Sequence, residues 1–147
     1  MAGELTEGSP HPTTRLALAA LAERAADRVL DVGTGDGVLA RAALAAGATE
    51  VVGIDVRAVP AVAGATMLQV AVEAYEGGGF DVVVANLPDP VLLAVLPRLA
   101  AMGRTLLVTG VRVERAAALR VRLAAAGARI AATRAREGWV LYVAEAR

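Results

Sequence analysis

The stretch that decides the fold is RVLDVGTGDG, which runs from Arg28 to Gly37. Its first five residues form a short, largely apolar run typical of a buried strand, and Gly33, Gly35 and Gly37 follow before a helix-forming segment begins. Glycine adopts positive φ without strain and lets the backbone approach a ligand closely. A strand, a glycine turn and a helix in this order predict the first unit of an open α/β sheet, with a ligand site at the carboxyl end of the strand.

Outward from this loop, strand patterns alternate with helical patterns. We predict further strands over 50–54, 67–72, 80–85, 104–109, 128–133 and 139–144, and helices over 15–26, 36–46, 90–102 and 113–126. Thr13 or Thr14 is the expected N-cap of the first helix. The alternation indicates one α/β, Rossmann-like domain with a mostly parallel seven-stranded sheet and an antiparallel C-terminal strand pair. Because only about a dozen residues, Pro60 and Gly64 among them, separate Asp55 from the third strand, we expect one short turn there instead of a helix.

Composition bounds the domain and its compartment. The 147 residues suffice for one domain, predicted over 13–147, after a polar and flexible N-terminal segment over 1–12. No apolar run reaches the roughly 20 residues of a bilayer span, and the first residues carry Glu4 and Glu7 and no basic region of a secretory signal. We therefore expect a cytoplasmic protein that does not act in a membrane.

The charged and nucleophilic residues exclude several classes of chemistry. All 15 basic residues are arginine, so a Schiff-base lysine and a P-loop lysine are excluded. The formal net charge is zero, which gives no strong sign of nucleic-acid binding, although a local basic patch stays open. With no cysteine and a single histidine, His11, the chain is not expected to hold a metal site of the usual zinc kind. The sole serine, Ser9, has no predicted partners for a hydrolytic triad.

The glycine loop predicts a ligand without phosphate. Its spacing is G-x-G-x-G, whereas a dinucleotide-binding loop reads G-x-G-x-x-G. Asp36 lies at the start of the next helix, where it would repel a pyrophosphate drawn to the positive end of the helix dipole. Asp31 adds a carboxylate that favours an amino group and a sulfonium. S-adenosylmethionine therefore suits the loop, with Gly33, Thr34, Gly35, Asp36 and Gly37 around its methionine part; a bare turn and a dinucleotide site are the alternatives.

The ends of the second and third strands offer the rest of the cofactor site. Asp55 ends the second strand 22 positions after Gly33, and an acidic residue at about this distance accepts hydrogen bonds from ribose hydroxyls in doubly wound folds. Val56 follows it as a further expected contact. Glu73, just after the third strand, is placed to approach the adenine edge. A turn or cap aspartate and a solvated glutamate are the alternative interpretations.

Asn86, the only asparagine of the chain, follows the fourth strand. Its carboxamide and the Leu87 carbonyl beside it can accept hydrogen bonds from an incoming amine and align the lone pair of that amine with a methyl group on sulfur. Methyl transfer is an in-line displacement with a good leaving group, so positioning supplies most of the catalysis. We therefore predict Asn86 and Leu87 as the catalytic residues, with Asn86 also against the cofactor. The alternative is an asparagine favoured by a turn.

Five segments, taken in chain order, resemble one protein family. They are HPTTRLAL (11–18), VLDVGTG (29–35), FD through ANL (80–87), LVTG (107–110) and EGWV (137–140). Together they look like the catalytic domain of the ribosomal protein L11 methyltransferases (PrmA type), over roughly residues 11–143. The resemblance implies a class I S-adenosylmethionine-dependent methyltransferase that N-methylates an amino group of a ribosomal or other protein. It also implies that Thr14 contacts the cofactor or frames the transfer site.

Other interpretations stay open. A non-catalytic S-adenosylmethionine-binding module or partner subunit is one, because about ten residues precede His11 and Asp89 stands where many amino-group methyltransferases carry an aromatic residue. A small-molecule methyltransferase and a nicotinamide-dependent oxidoreductase are two more. A homodimer is also open, because small sheets of this type often pair.

A few conspicuous side chains have plain structural interpretations. Arg112, Arg115 and Arg122 would share one side of the helix predicted over 113–126, which indicates a solvated charged face; a docking patch for an acidic partner is the alternative. Trp139 is expected to pack in the core or sheet instead of forming a substrate platform. His11 is either a flap residue near the cofactor or a bystander in a loop.

Overall fold

The computed structural model describes residues 10–146 and has helices on both sides of one central sheet. The elements are α1 (Pro12–Ala22), β1 (Arg28–Val32), α2 (Val38–Ala45), β2 (Glu50–Asp55), β3 (Ala65–Gln69), β4 (Phe80–Asn86), α3 (Asp89–Met102), β5 (Gly103–Arg112), α4 (Ala116–Ala125), β6 (Arg129–Arg136) and β7 (Trp139–Glu145). A 3-10 turn, Val113–Arg115, connects β5 to α4. Most of the predicted flexible segment 1–12 falls outside the described residues and stays a prediction.

The seven strands form one sheet in the order β3-β2-β1-β4-β5-β7-β6. The first five strands of that order are parallel, and β7 runs antiparallel to both β5 and β6. This confirms the predicted mostly parallel sheet with its antiparallel C-terminal pair. The chain leaves β1 to one side and returns to its other side with β4, so the strand order reverses between them. Ligands bind at such switch points, beyond the carboxyl ends of the strands.

Each face of the sheet is buried by its own pair of helices. One core joins α3 and α4 to the side chains of Leu30, Phe80 and Tyr142. The other joins α1 and α2 to Val29 and Leu107 on the opposite face. Because both faces are covered, β4 is apolar along nearly its whole length instead of alternating. None of the described helices is long and apolar enough to cross a membrane.

The first helix begins earlier than predicted. Its N-cap is His11, not a threonine, because the His11 Nδ1 accepts the Thr13 backbone N–H at 3.2 Å. Pro12 then occupies the first turn, where its missing N–H costs nothing. The helix ends at Ala22 instead of 26. Likewise α2 begins at Val38 and not at 36, because Gly37 is its N-cap with a φ of 85°.

The third strand is shifted toward the N-terminus. It covers Ala65–Gln69 instead of 67–72, because it pairs with β2 from Val51 to Asp55. The chain then turns away as the Val70 N–H donates to the Asp55 carbonyl at 2.8 Å. As predicted, the segment before β3 holds no helix and makes a single turn at 63–64.

The fifth strand is longer than predicted, and this moves two arginines. It continues through a bulge between Thr109 and Val111 and ends at Arg112, not at 109. Arg112 is therefore a strand residue, and Arg115 lies in the 3-10 turn. The predicted arrangement of Arg112, Arg115 and Arg122 on one helical face is wrong, because only Arg122 belongs to α4.

Candidate functional site

The backbone N–H groups of the glycine loop are already hydrogen-bonded within the protein. They donate to acceptors within the chain: Gly33 and Thr34 to the Ile54 carbonyl at 2.8 and 3.0 Å, Gly35 to Asp55 Oδ2 at 2.9 Å, and Gly37 to the Thr34 carbonyl at 2.8 Å. An anion-binding loop needs successive free N–H groups directed at the anion. With these four amides engaged, the loop favours a ligand without phosphate, as its spacing predicted.

Asp31 lies buried beneath this loop and is 1% exposed. Its Oδ2 accepts the Thr34 hydroxyl at 2.7 Å, and its Oδ1 has no hydrogen-bond partner among residues 10–146. Burial raises the pKa of Asp31 to about 7, against the lowering effect of the Thr34 hydrogen bond. The neighbouring carboxylates of Asp55 and Asp36 raise it further. A positively charged group near this carboxyl would favour its ionised form.

A cavity of about 300 Å³ opens beyond the ends of β1 and β2. Four residues of the predicted cofactor set line it together: Gly33, Asp55, Val56 and Glu73. Valines from the chain after β3 and from α3 supply much of the remaining wall. The Asp55 carboxylate is fixed in place, since its two oxygens accept the Gly35 and Arg57 backbone N–H groups at 2.9 and 3.0 Å.

A second cavity, of about 690 Å³, opens beyond the ends of β4 and β5. Asn86 and Thr14 both line it, and the Asn86 Nδ2 donates to the Thr14 Oγ1 at 3.3 Å. This bond leaves the Asn86 amide oxygen without a donor among residues 10–146. A carboxamide whose nitrogen is already engaged presents its oxygen as an acceptor for an incoming N–H.

Leu87 lines both cavities and stands between them. A Cβ built on Gly33 would lie 2.4 Å from the Leu87 Cδ2, so the Leu87 side chain packs directly on this glycine and would have to shift if a larger residue stood there. On the other side, the Leu87 N–H donates to the Thr109 carbonyl at 3.1 Å. The Asn86–Leu87 segment is therefore held between the glycine loop and β5.

Several residues of the predicted cofactor set line neither cavity. Asp31 is buried beneath the loop, and Thr34 is buried within it. Asp36 is exposed, and its Oδ1 accepts the Val38 N–H at 3.3 Å, so it helps to cap α2. Gly37 packs on apolar side chains, whereas a Cβ on Gly35 would meet only the Gly33 carbonyl at 3.9 Å. Gly35 is thus the residue of this group that leaves open space for a ligand.

The second cavity also contains residues that the sequence did not assign to it. Trp139 packs against the edge of one core, as predicted, but it also lines the cavity, and its ring centroid is 4.9 Å from that of His11. His11 is therefore a cavity residue. Arg112 and Arg115 line the same cavity, together with Asp89. The register of β5 against β7 would have placed Arg112 and Trp139 in this cavity, but that register can be derived only when the bulge at Gly110 is known.

The sequence of the chain matches a known protein family. The model of the family described as "Ribosomal protein L11 methyltransferase (PrmA)" matches residues 8–147. The chain belongs to this family. It is 43% identical over 147 residues to the ribosomal protein L11 methyltransferase of Thermus thermophilus, covering 89% of this chain and 58% of the relative. With the enzyme of that name from Geobacter sulfurreducens, the identity is 42% over 120 residues, covering 73% of this chain and 40% of the relative. The chain thus spans about half the length of these members of the PrmA family.

Solved structures show the same fold. A ribosomal protein L11 methylase from Lactobacillus delbrueckii subsp. bulgaricus aligns with a TM-score of 0.84 at 23% identity, over 95% of this chain and 80% of that one. A 1,6-didemethyltoxoflavin-N1-methyltransferase from Burkholderia thailandensis, solved with S-adenosylhomocysteine, aligns with a TM-score of 0.73 at 19% identity, over 91% and 78%. The chain therefore has the class I, Rossmann-like methyltransferase fold that the sequence predicted.

Proposed function

We propose that the chain is an S-adenosylmethionine-dependent methyltransferase that N-methylates an amino group of a protein. The observation that carries this proposal is the position of Asn86 and Leu87 between two cavities. One cavity has Gly33 and Asp55 in its wall, and the other has Asn86 with an unengaged amide oxygen. A cofactor on one side and an amine on the other would meet at this segment.

The residues around the smaller cavity fit S-adenosylmethionine. Asp31 lies beneath the loop, so a carboxyl group is near the methionine part of the cofactor, which would carry an ammonium and a sulfonium, and Asp55 and Glu73 line the cavity beside the ribose and the adenine. The loop amides are engaged within the chain, which disfavours a phosphate-bearing cofactor. When bound, S-adenosylmethionine supplies a methyl group on a positively charged sulfur that leaves readily as a thioether. Asp55 would hold the ribose, and the loop would hold the methionine part.

The larger cavity would orient the acceptor. The Asn86 amide oxygen and the Leu87 carbonyl accept hydrogen bonds from the amine N–H groups, and this directs the nitrogen lone pair toward the cofactor side. Thr14 keeps the Asn86 carboxamide in one orientation by accepting from its Nδ2. The apolar wall that includes Trp139 and Pro90 disfavours a charged ammonium, so the amine reacts in its neutral form without a strong base. Alignment of the reacting groups then provides most of the rate increase.

A ribosomal protein is the proposed acceptor. The names of the PrmA-family relatives support this choice, because they identify ribosomal protein L11 as the substrate of those enzymes. An acceptor of this kind would place the reaction in the cytoplasm. A homodimer stays a prediction.

Calorimetry and labelled methyl transfer test the proposal together. We expect S-adenosylhomocysteine to bind the native chain, and labelled methyl groups to appear on a purified ribosomal protein L11. Asn86→Ala should reduce transfer about 100-fold or more, because it removes an acceptor at the reacting amine, while S-adenosylhomocysteine still binds. No binding of S-adenosylhomocysteine at millimolar concentration would overturn the proposal. Tight binding without transfer to any protein or small molecule of a cell extract would favour the non-catalytic module.

A further inference from the structure

The two arginines of the larger cavity differ in their partners. Arg115 forms an ion pair with Asp89, in which its Nε and Nη2 donate to the two carboxylate oxygens. Arg112 has no hydrogen bond to any described side chain or backbone group in residues 10–146. Its nearest carboxylate is that of Glu114, at 3.6 Å from Nε, and its side chain is 48% exposed. Both arginines thus have a carboxylate partner. Arg115 is held by two hydrogen bonds, whereas Arg112 has one longer contact to an exposed glutamate, and its Nη groups have no hydrogen-bond partner among residues 10–146.

Arg112 is held in place without using those donors. Its guanidinium carbon lies 5.0 Å from the centroid of the Trp139 ring, within the range of a cation–π contact. Arg112 and Trp139 are also paired across β5 and β7. The backbone of Gly138 makes room for the guanidinium, because a Cβ there would lie 2.8 Å from the Arg112 Nη2. A guanidinium held by a ring keeps its N–H groups in its own plane, available to a carboxylate.

The charges of the cavity wall point to the chemistry of the occupant. Arg112 and Arg115 are positive, Asp89 is the one negative residue of the wall, and Asn86 is neutral. The lining residues thus carry one more positive than negative charge beside the position at which an amine must react, and Glu114, which pairs with Arg112, does not line the cavity. An acceptor that brought a carboxylate as well as an amine would satisfy Arg112 and leave Asn86 to the amine.

We propose that Arg112 binds a carboxylate carried by the methyl acceptor, so that the substrate is an amine with an acidic group close by. This inference rests on the proposed function and adds the substrate class. Asn86 is paired with Thr109, three positions before Arg112 on β5. Because of the bulge at Gly110, these three positions lie opposite only two steps of β7, so the two residues are separated by about 7 Å along the strand direction. In an extended peptide, this corresponds to an acidic residue about two positions from the methylated one.

Trp139 provides a direct test, because it is the only tryptophan of the chain and lines this cavity. The probes are 6-aminohexanoate and 6-aminohexanamide, which keeps the amine but has a neutral amide in place of the carboxylate. They are titrated against the full chain while the tryptophan fluorescence is recorded. We expect the carboxylate probe to bind at least about tenfold more tightly than the amide, since hydrogen bonds to charged groups are the strong ones. The preference should shrink as salt is added, because Arg112 is half exposed.

Two variants connect this preference to Arg112. Arg112→Gln should abolish it, so that both probes bind with similar affinity. Arg104→Gln is the matched control, because Arg104 lies at the opposite end of the same strand, outside this cavity, and its side chain is 84% exposed; it should keep the full preference.

Three results would overturn the inference. They are equal affinities for the two probes in the native chain, a preference that persists in Arg112→Gln, and no binding of either probe at high millimolar concentration. The titrations need no cofactor, so they give a result even if the chain fails to bind S-adenosylhomocysteine by calorimetry. Failure of the inference is thus distinguishable from failure of the proposed function.

Discussion

Gly110 lies directly against the carbonyl group of Leu87: a Cβ built on Gly110 would come within 1.8 Å of the Leu87 oxygen. Gly110 occupies the bulge of β5 with a φ of 116°. The bulge therefore does more than lengthen the strand. It allows the backbone that follows Asn86 to pass close to β5 and places Leu87 and Gly110 side by side in the wall of the larger cavity.

Gly110→Ala should disrupt this contact. We expect it to lower the free energy of unfolding by at least about 3 kcal/mol, since a methyl group would collide with backbone and the residue would also be strained by its positive φ. Denaturant titration measures the loss. Gly47→Ala is the matched control, because Gly47 has a similar φ of 107° and, apart from its own chain neighbours, no atom within 4 Å of its built Cβ. It should cost only the strain, about 1–2 kcal/mol. Equal losses in the two variants would contradict the role given to the contact.

Thr14 should act on methyl transfer through Asn86. Thr14→Val removes the oxygen that accepts from the Asn86 Nδ2, so the carboxamide is free to rotate. We expect kcat to fall about tenfold, in keeping with the cost of misplacing a reacting group. Thr14→Ser retains the hydroxyl and should restore most of the rate. If serine and valine reduced kcat equally, the hydroxyl would not be the group that orients Asn86.

The fold was predictable because its signals are local. The apolar run from Arg28 to Val32, the glycine loop and the continuous apolar strand over 80–85 each specify an element and its place in a doubly wound sheet. The third strand was displaced because its limits depend on pairing with β2, which no local pattern encodes. The predicted N-cap was wrong because His11 accepts the hydrogen bond at the start of α1, a role for which threonine is the more common residue.

The site was predictable where a residue follows directly from the end of a strand. Gly33, Asp55 and Asn86 are residues of this kind. Gly33 and Asp55 line the smaller cavity, and Asn86 lines the larger one. Arg112 and Trp139 were missed because they reach the larger cavity through the bulge at Gly110 and the register of two antiparallel strands. A bulge shifts every later residue of its strand, so a pattern that ends the strand at 109 cannot place them.

Asp55 should control cofactor affinity. Asp55→Ala removes the acceptors of the Gly35 and Arg57 N–H groups as well as the proposed ribose ligand. We expect the Kd for S-adenosylhomocysteine to rise by more than about tenfold, and Asp55→Asn, which retains one acceptor oxygen, to show a smaller increase. Calorimetry measures both. Glu50→Ala removes a carboxylate at the opposite end of β2 and should leave the Kd unchanged within error. Native affinity in Asp55→Ala would place the ribose elsewhere.

Asp31 should make the protein less stable as the pH rises from about 4 to about 7. The unfolded chain ionises this carboxyl near its ordinary value of 3.8, whereas burial keeps it protonated in the folded chain up to a pKa of about 7. The unfolded state therefore binds fewer protons over this interval, and the free energy of unfolding declines. Below pH 4 the folded state carries no such penalty. Above pH 7 the difference between the two pKa values amounts to at most about 4 kcal/mol.

Asp31→Asn should remove this pH dependence while its amide oxygen still accepts the Thr34 hydroxyl. At pH 8 we expect the variant to be more stable than the native chain by about 1–4 kcal/mol, and near pH 4 to differ little from it. Denaturant titrations from pH 4 to 8 measure the difference. Asp36→Asn, in the same loop but exposed, should follow the native profile because its side chain stays in water. A native profile for Asp31→Asn would mean that the folded chain accommodates the ionised carboxylate at no cost, against the buried and unpartnered Oδ1 seen here.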